Sequence, residues 1–151
     1  MAFCFYLVFI YLKEYNGITK TTLTGDIIMK FLKCKECGKI IALVNDCSSC
    51  PTKCCGEAMQ EIPVNTQDGA HEKHVPVYGI LGNIVSVKVG EVEHPMQDNH
   101  YIEWIALETN RGNQRKVLKP GQTPTAQFAL IPGEEVIAVY AYCNLHGLYK
   151  A

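Results

Sequence analysis

The chain predicts an all-β protein in two parts, a small metal-stapled unit followed by a β-sandwich. Three observations predict it. The stretch from Phe31 to about Pro63 is short of large apolar residues and rich in Cys, Gly and Lys. Beyond it, runs of alternating apolar and polar residues are separated by turn chemistry at short intervals. No segment carries a helical period over three turns.

Residues 1–12 (MAFCFYLVFIYL) form an apolar run, shorter than the ~20 residues a membrane helix needs. The basic n-region and small-residue cleavage site of a secretory signal are both missing. We expect residues 1–29 to be a leader, non-native or disordered, with Met29 the true start of the chain. An amphipathic membrane tether is the second reading, and Cys4 is assigned no function in either.

A segment as small as residues 30–66 cannot bury enough surface to fold by hydrophobicity alone. Metal binding would have to supply its folding energy. Ile40 to Val44 reads as one short strand, bounded by Gly38 and Asn45-Asp46. The polar joint Asn65-Thr66-Gln67-Asp68-Gly69 marks the boundary with a second domain, residues 67–151. There Val85, Val87 and Val89 alternate with Ile84, Ser86 and Lys88. Tyr101 to Leu107, Phe128 to Ile131 and Val136 to Tyr142 give further β-branched or aromatic runs. Gly79, Gly82-Asn83, His94-Pro95, Asn110-Arg111-Gly112-Asn113, Lys119-Pro120-Gly121 and Ile131-Pro132-Gly133 punctuate them. Short strands at this interval suggest a sandwich rather than βαβ units.

Chemistry is carried by Cys and His. Cys34-x-x-Cys37 and the adjacent pair Cys54-Cys55 read as metal ligands in a reducing compartment rather than as disulfides. Adjacent cysteines rarely bond to each other, because the geometry strains both bond and peptide. Cys47-x-x-Cys50 is a second C-x-x-C, so Cys34, Cys37, Cys47 and Cys50 compete with Cys34, Cys37, Cys54 and Cys55 for a tetrahedral sulfur cage. Spacing leaves both sets open. Near the end stands Cys143-Asn-Leu-His146, and His74, His94 and His100 lie upstream. Of the 5 histidines, only His71 falls outside this set. One thiolate with four imidazoles exceeds the four ligands that close a structural zinc site. Such a set suits a redox metal with one octahedral position free.

These residues resemble a known family. Cys34-Lys-Glu-Cys37-Gly38 and Cys54-Cys55-Gly56-Glu57-Ala58-Met59 are similar to the desulforedoxin module. Glu72-Lys73-His74-Val75-Pro76, His94-Pro95-Met96, Asn99-His100-Tyr101-Ile102-Glu103-Trp104-Ile105, Leu118-Lys119-Pro120-Gly121 and Tyr142-Cys143-Asn144-Leu145-His146-Gly147 are similar to superoxide reductase. Together, from about Lys30 to Lys150, the chain resembles the desulfoferrodoxins, two-iron superoxide reductases. The resemblance implies a desulforedoxin-like Cys4 iron unit over residues 30–66 and an immunoglobulin-like β-sandwich over residues 67–151. It favours Cys34, Cys37, Cys54 and Cys55 as the cage and gives Cys47 and Cys50 no role. It implies equatorial imidazoles from His74, His94, His100 and His146 and an axial thiolate from Cys143, with Fe(2+) at that site. The cage would hold Fe(3+), or zinc.

By the same resemblance Lys73 would steer superoxide and help deliver protons, and Glu72 could take the sixth position of the oxidised iron. The activity implied is one-electron reduction of superoxide to hydrogen peroxide in the cytoplasm of an anaerobe. A rubredoxin-like carrier would supply the electron, and a homodimer is expected by analogy. Neither nucleic acid nor membrane is an expected partner, the net charge being −1 with 19% charged residues.

Blander readings stand beside these. Lys73 alone is a solvated charge, Trp104 a core anchor, and His94-Pro95 a turn cap. The rival functions are a zinc-ribbon binding module, colourless and with no use for Cys143, and a non-catalytic iron electron carrier with a closed six-ligand site.

Overall fold

The computed structural model describes residues 29–44, 49–65 and 71–151. The leader expected over residues 1–29, apart from Met29, therefore lies outside the described residues, as do Cys4 and Cys47. The segment 66–70 that holds most of the expected boundary lies outside them too.

The small N-terminal unit is a three-stranded antiparallel sheet carrying a hairpin. β1 (Lys30–Lys33) lies between β2 (Ile40–Leu43) and β5 (Gln60–Glu61). β3 (Lys53–Cys54) and β4 (Glu57–Ala58) pair with Cys54 opposite Glu57, so Cys55-Gly56 form a two-residue turn. Both turn residues have positive φ, 53° and 86°, the geometry that matches strand twist in tight hairpins.

A single helical turn, α1 (His71–His74), leads into the sandwich. One sheet has the order β10-β7-β6 and the other β12-β11-β8-β9. The first contains β6 (Pro76–Leu81), β7 (Ile84–Val89) and β10 (Thr125–Ala129). The second contains β8 (Ile102–Thr109), β9 (Gly112–Val117), β11 (Val136–Cys143) and β12 (Gly147–Lys150). The alternation expected at Val85, Val87 and Val89 is present: all three are buried, and Ser86 and Lys88 face solvent. They meet Ala126 and Phe128 of their own sheet and Ile105, Leu107, Val139 and Ala141 of the other in one core.

The second sheet is buried on both faces. The period of two along a strand sends Val139, Ala141 and Cys143 into the inter-sheet core and Ala138, Tyr140 and Tyr142 to the opposite face. That opposite face packs against Phe31 and Ile62 of the N-terminal unit, with Trp104, Ala106 and Leu148. Trp104 is thus a buried anchor, and it anchors the small unit onto the sandwich. Phe31 lies 4.8 Å from its ring and 5.5 Å from that of Tyr140. Burying a phenylalanine in this way contributes roughly 2–3 kcal/mol. The buried Glu108 carboxylate adds a polar clasp, accepting from the Met29 N–H and the Tyr140 hydroxyl, both at 2.7 Å. Burial, helped by that bond to Glu108, raises the Tyr140 pKa.

Two candidate metal centres

The first centre is built by the knuckle after β1 and the β3–β4 turn. The Gly38 N–H donates to the Cys34 carbonyl at 3.1 Å, and the Cys34 N–H donates to Lys39 at 2.9 Å. This folds Cys37 back over Cys34. The left-handed Cys55-Gly56 turn then brings Cys54 and Cys55 to the same point. The ligand atoms of Cys34, Cys37, Cys54 and Cys55 all lie within 4.8 Å of one another. Cys37 Sγ is 3.6 Å from Cys54 Sγ, which is 3.9 Å from Cys55 Sγ. Those spacings are far beyond a disulfide bond of ~2.05 Å. They match a tetrahedral cage, where bonds of ~2.3 Å set sulfurs about 3.8 Å apart. Cys50 is exposed and outside this group. The crowded thiols titrate unevenly. A backbone N–H at Lys39 and the Cys34 thiol lower Cys37 to about 7, whereas the Cys34 and Cys37 thiols push Cys54 up to about 12. A cation binding all four would have to drive off the remaining protons.

The second centre sits at one end of the sandwich. His74 comes from α1, His94 and His100 from the loop between β7 and β8, and Cys143 and His146 from the end of β11 and its turn into β12. Their ligand atoms also lie within 4.8 Å of one another. His74 Nε2 is 3.0 Å from His94 Nε2 and 2.9 Å from His146 Nδ1. Nitrogens bound at ~2.1 Å and at right angles on one ion stand about 3.0 Å apart, so the spacing fits a shared metal. The rings complete a square. Neighbouring centroids are 4.5 Å (His74–His94), 4.7 Å (His94–His100), 4.8 Å (His100–His146) and 4.6 Å (His146–His74), against 6.2 Å for the His74–His100 diagonal. Cys143 Sγ is 3.5 Å from His146 Nδ1. His100 Nε2 is buried without a hydrogen-bond partner, as expected of a nitrogen kept for a ligand bond. Five donors are grouped here among the described residues, so the closed six-ligand arrangement of a plain electron carrier is not what they form.

Local structure explains the placement. The register between β11 and β8 shifts at Tyr142/Cys143, where Cys143 pairs with Ile102 after Tyr142 has paired with Trp104. The extra residue is Glu103 on β8, and it returns Ile102 to the core face opposite Cys143, which keeps the alternation of β11. Asn144 stitches two ligand loops together: its Oδ1 accepts from Tyr101 N–H at 2.9 Å and its Nδ2 donates to the Asn99 carbonyl at 3.0 Å. His94 Nδ1 is 2.5 Å from the Pro95 carbonyl, which fixes that nitrogen as the N–H and leaves Nε2 for the metal. α1 is held by Val92 N–H to the Glu72 carbonyl and Gly90 N–H to the Val75 carbonyl, both 3.1 Å. Glu72 and Lys73 are exposed beside buried His74.

The electrostatics suit ligation. Burial lowers the His94 pKa to about 4 and also lowers that of His100, assisted by the charges of His146 and Lys73. Both rings are therefore neutral at pH 7. Burial raises the Cys143 thiol, against the backbone N–H groups of His146 and Leu145. Neutral imidazoles with a thiol that needs a cation to ionise are a metal-binding set.

Sequence reasoning found every member of both groups but missed Gly90, Asn144 and Tyr149, which hold or cover them. Gly90 carried a signal, as a glycine ending a valine run. Tyr149 carried none.

Comparison with known proteins agrees with this geometry. Residues 66–151 match the sequence profile of the Desulfoferrodoxin family. The chain is 43% identical over 124 residues to a desulfoferrodoxin homolog of Archaeoglobus fulgidus, covering 82% of this chain and 97% of that protein. It is 44% identical over 119 residues to the desulfoferrodoxin of Nitratidesulfovibrio vulgaris, covering 79% and 92%. The superoxide reductase from Treponema pallidum superposes with a TM-score of 0.70 at 36% identity, covering 82% of this chain and 97% of that one. With the expected motifs, fold and donor sets in place, the chain belongs to the desulfoferrodoxin family.

Proposed function

We propose that the protein is a superoxide reductase, which consumes superoxide with one electron and two protons and yields hydrogen peroxide. The observation that carries this reading is the square of His74, His94, His100 and His146 with the buried Cys143 thiol as a fifth donor. Iron held there would supply a one-electron couple and an open position for an anion, its electron density raised by the thiolate. Fe(2+) is the active form in this reading. Fe(3+) or zinc fills the Cys34, Cys37, Cys54 and Cys55 cage.

The protein's own groups do the rest. The four imidazoles, being neutral, would cancel none of the charge of a ferrous ion held there, and the single Cys143 thiolate would cancel only one unit, so the site would keep a net positive charge toward an anion. Lys73 adds a positive charge whose field reaches His100, and it concentrates superoxide at the site. Its ammonium is also a proton source there. Glu72, on the same turn, is the carboxylate that would bind an iron held there when substrate is absent.

The reading includes a Cys4 domain over residues 30–66, a sandwich domain over residues 67–151, a rubredoxin-like electron donor, a homodimer and a cytoplasmic setting. No helix among the described residues is long and apolar enough to cross a membrane. The test is anaerobic loading with ferrous iron followed by pulse radiolysis. The expected result is superoxide loss with peroxide formed and no oxygen released. Oxygen evolution, or a rate equal to that of His74→Ala, would sink it.

A further inference from the structure

We propose that His71 and Tyr149 form the route by which the reducing electron enters the His4Cys centre, from a one-electron carrier protein that meets the surface at His71. This rests on the superoxide reductase reading, in which each turnover leaves the iron oxidised and an outside donor must restore it.

The rings are contiguous. His71 is exposed at the start of α1. Its ring stands edge-on to Tyr149, with centroids 6.0 Å apart and planes at 88°. Tyr149 in turn lies flat on His74, at 4.6 Å and 24°. His74 Nε2 is one of the clustered ligand atoms. Three π-systems thus link solvent to a ligand nitrogen through a protein interior where Tyr149 is 1% exposed and His74 2% exposed.

Two further features favour this side. His100 and His146 are only half-buried, so the square reaches solvent at their edge, where the Lys73 charge acts. Entry through the ring of His74, a ligand 2% exposed, spares the carrier from having to stand on that half-buried edge itself. The Tyr149 hydroxyl is buried with no hydrogen-bond partner. A buried phenol normally finds one, so the position uses the ring face rather than the polar tip.

The step moves one electron and no atoms. The carrier is oxidised by one electron, the ferric centre is reduced by one, and no bond or proton changes place on the route. The later reaction with superoxide takes that electron and two protons.

Stopped-flow reduction of the oxidised iron-loaded protein by reduced rubredoxin tests the route, read from bleaching of the thiolate-to-iron band. H71A and Y149L should each slow that reduction several-fold. Y149F should keep the wild-type rate, because the ring remains, and H71F should restore most of what H71A loses. Pre-reduced H71A should meet a radiolytic pulse of superoxide at the wild-type rate, since His71 touches neither substrate nor ligand atoms. Wild-type reduction rates in H71A overturn the route, as does equal slowing of both half-reactions. His71 is on the surface, so H71A decides the matter even where Y149L disturbs the ferric spectrum. Absence of superoxide consumption by the pre-reduced wild type would overturn the activity instead, and is a separate outcome.

Discussion

The Lys33 ammonium donates to the Tyr142 hydroxyl at 2.9 Å and lies 5.6 Å from the centre of its ring. It thereby joins the strand that runs into Cys34 to the residue before Cys143. The two candidate metal centres are therefore carried on one continuous packed body, with Phe31 and Trp104 filling the seam beside this bond.

Loosening that seam should separate the two units without removing either donor set. Phe31→Ala deletes a side chain that is 4% exposed, which typically costs about 3–5 kcal/mol. Lys33→Met removes only the polar contact, at about 1 kcal/mol. In calorimetry F31A should unfold at a lower temperature than the wild type or in separate steps, and limited proteolysis should release the N-terminal unit. K33M should shift the transition only slightly. A wild-type melting profile for F31A would show that the seam does not stabilise the pair.

Gly90 should prove indispensable. It is buried at φ 80°, and a Cβ there would sit 2.4 Å from the Val92 carbonyl oxygen and 2.6 Å from that of Lys73. Those atoms are backbone and cannot swing aside. Left-handed backbone at a non-glycine residue adds ~1–2 kcal/mol of strain. Gly90→Ala should therefore cost at least about 2 kcal/mol by denaturant titration and displace α1, which carries Glu72, Lys73 and His74. Iron retention at the His4Cys site should fall, while the Cys4 site keeps its metal. Unchanged iron content and stability would show that α1 has room to move.

What was legible beforehand follows from periodicity and chemistry. β7 announced itself because one side chain in two is buried and the alternation is clean, and β11 because burial on both faces left it a continuous run of β-branched, aromatic and small apolar residues. β6 did not. Its residues Val77, Tyr78, Ile80 and Leu81 are all exposed on a sheet edge, so no face-dependent pattern was imposed on them. β9, with the polar sequence Gly112–Val117, was hidden for the same reason. β1 escaped because its one buried residue, Phe31, packs on a distant sheet. The metal ligands were legible because few residue types can do that work. Gly90, Asn144 and Tyr149 act through backbone approach, loop stitching and ring contact, which depend on neighbours far away in sequence.

Lys73 should act through charge at long range. It is exposed and in a solvated turn, so its effect on an anion some 6 Å away is a factor of roughly three at low salt. Lys73→Ala should slow the bimolecular reaction with superoxide by about that factor and flatten its dependence on ionic strength. Lys73→Arg should retain both features. Glu72→Ala should leave the reduction fast and alter the spectrum of the oxidised form. Pulse radiolysis across a salt series checks the first pair, and an unchanged rate constant in K73A would remove the steering role.

Acid should unfold the metal-free protein through the histidine square. Burial holds His94 at about 4, below the ordinary 6.5, and His100 is lowered in the same sense. A histidine whose folded pKa is depressed binds its proton more readily when unfolded. Its contribution is therefore complete above about 6.5 and is lost as pH falls from there toward 4. For His94 the loss approaches ~3 kcal/mol. The lowered Glu134 carboxylate adds to acid sensitivity only below its usual value of 4.5, so the two effects separate on the pH axis. Urea midpoints of the metal-free protein should drop between pH 6.5 and 4.5, and His94→Gln should flatten that slope, whatever its stability at pH 7. Bound iron should protect the wild type through the upper part of this range, because protons must then compete with the metal for the same nitrogens. A midpoint that holds steady from pH 7 to 4.5 without metal would mean that the square opens to solvent and its rings are not desolvated.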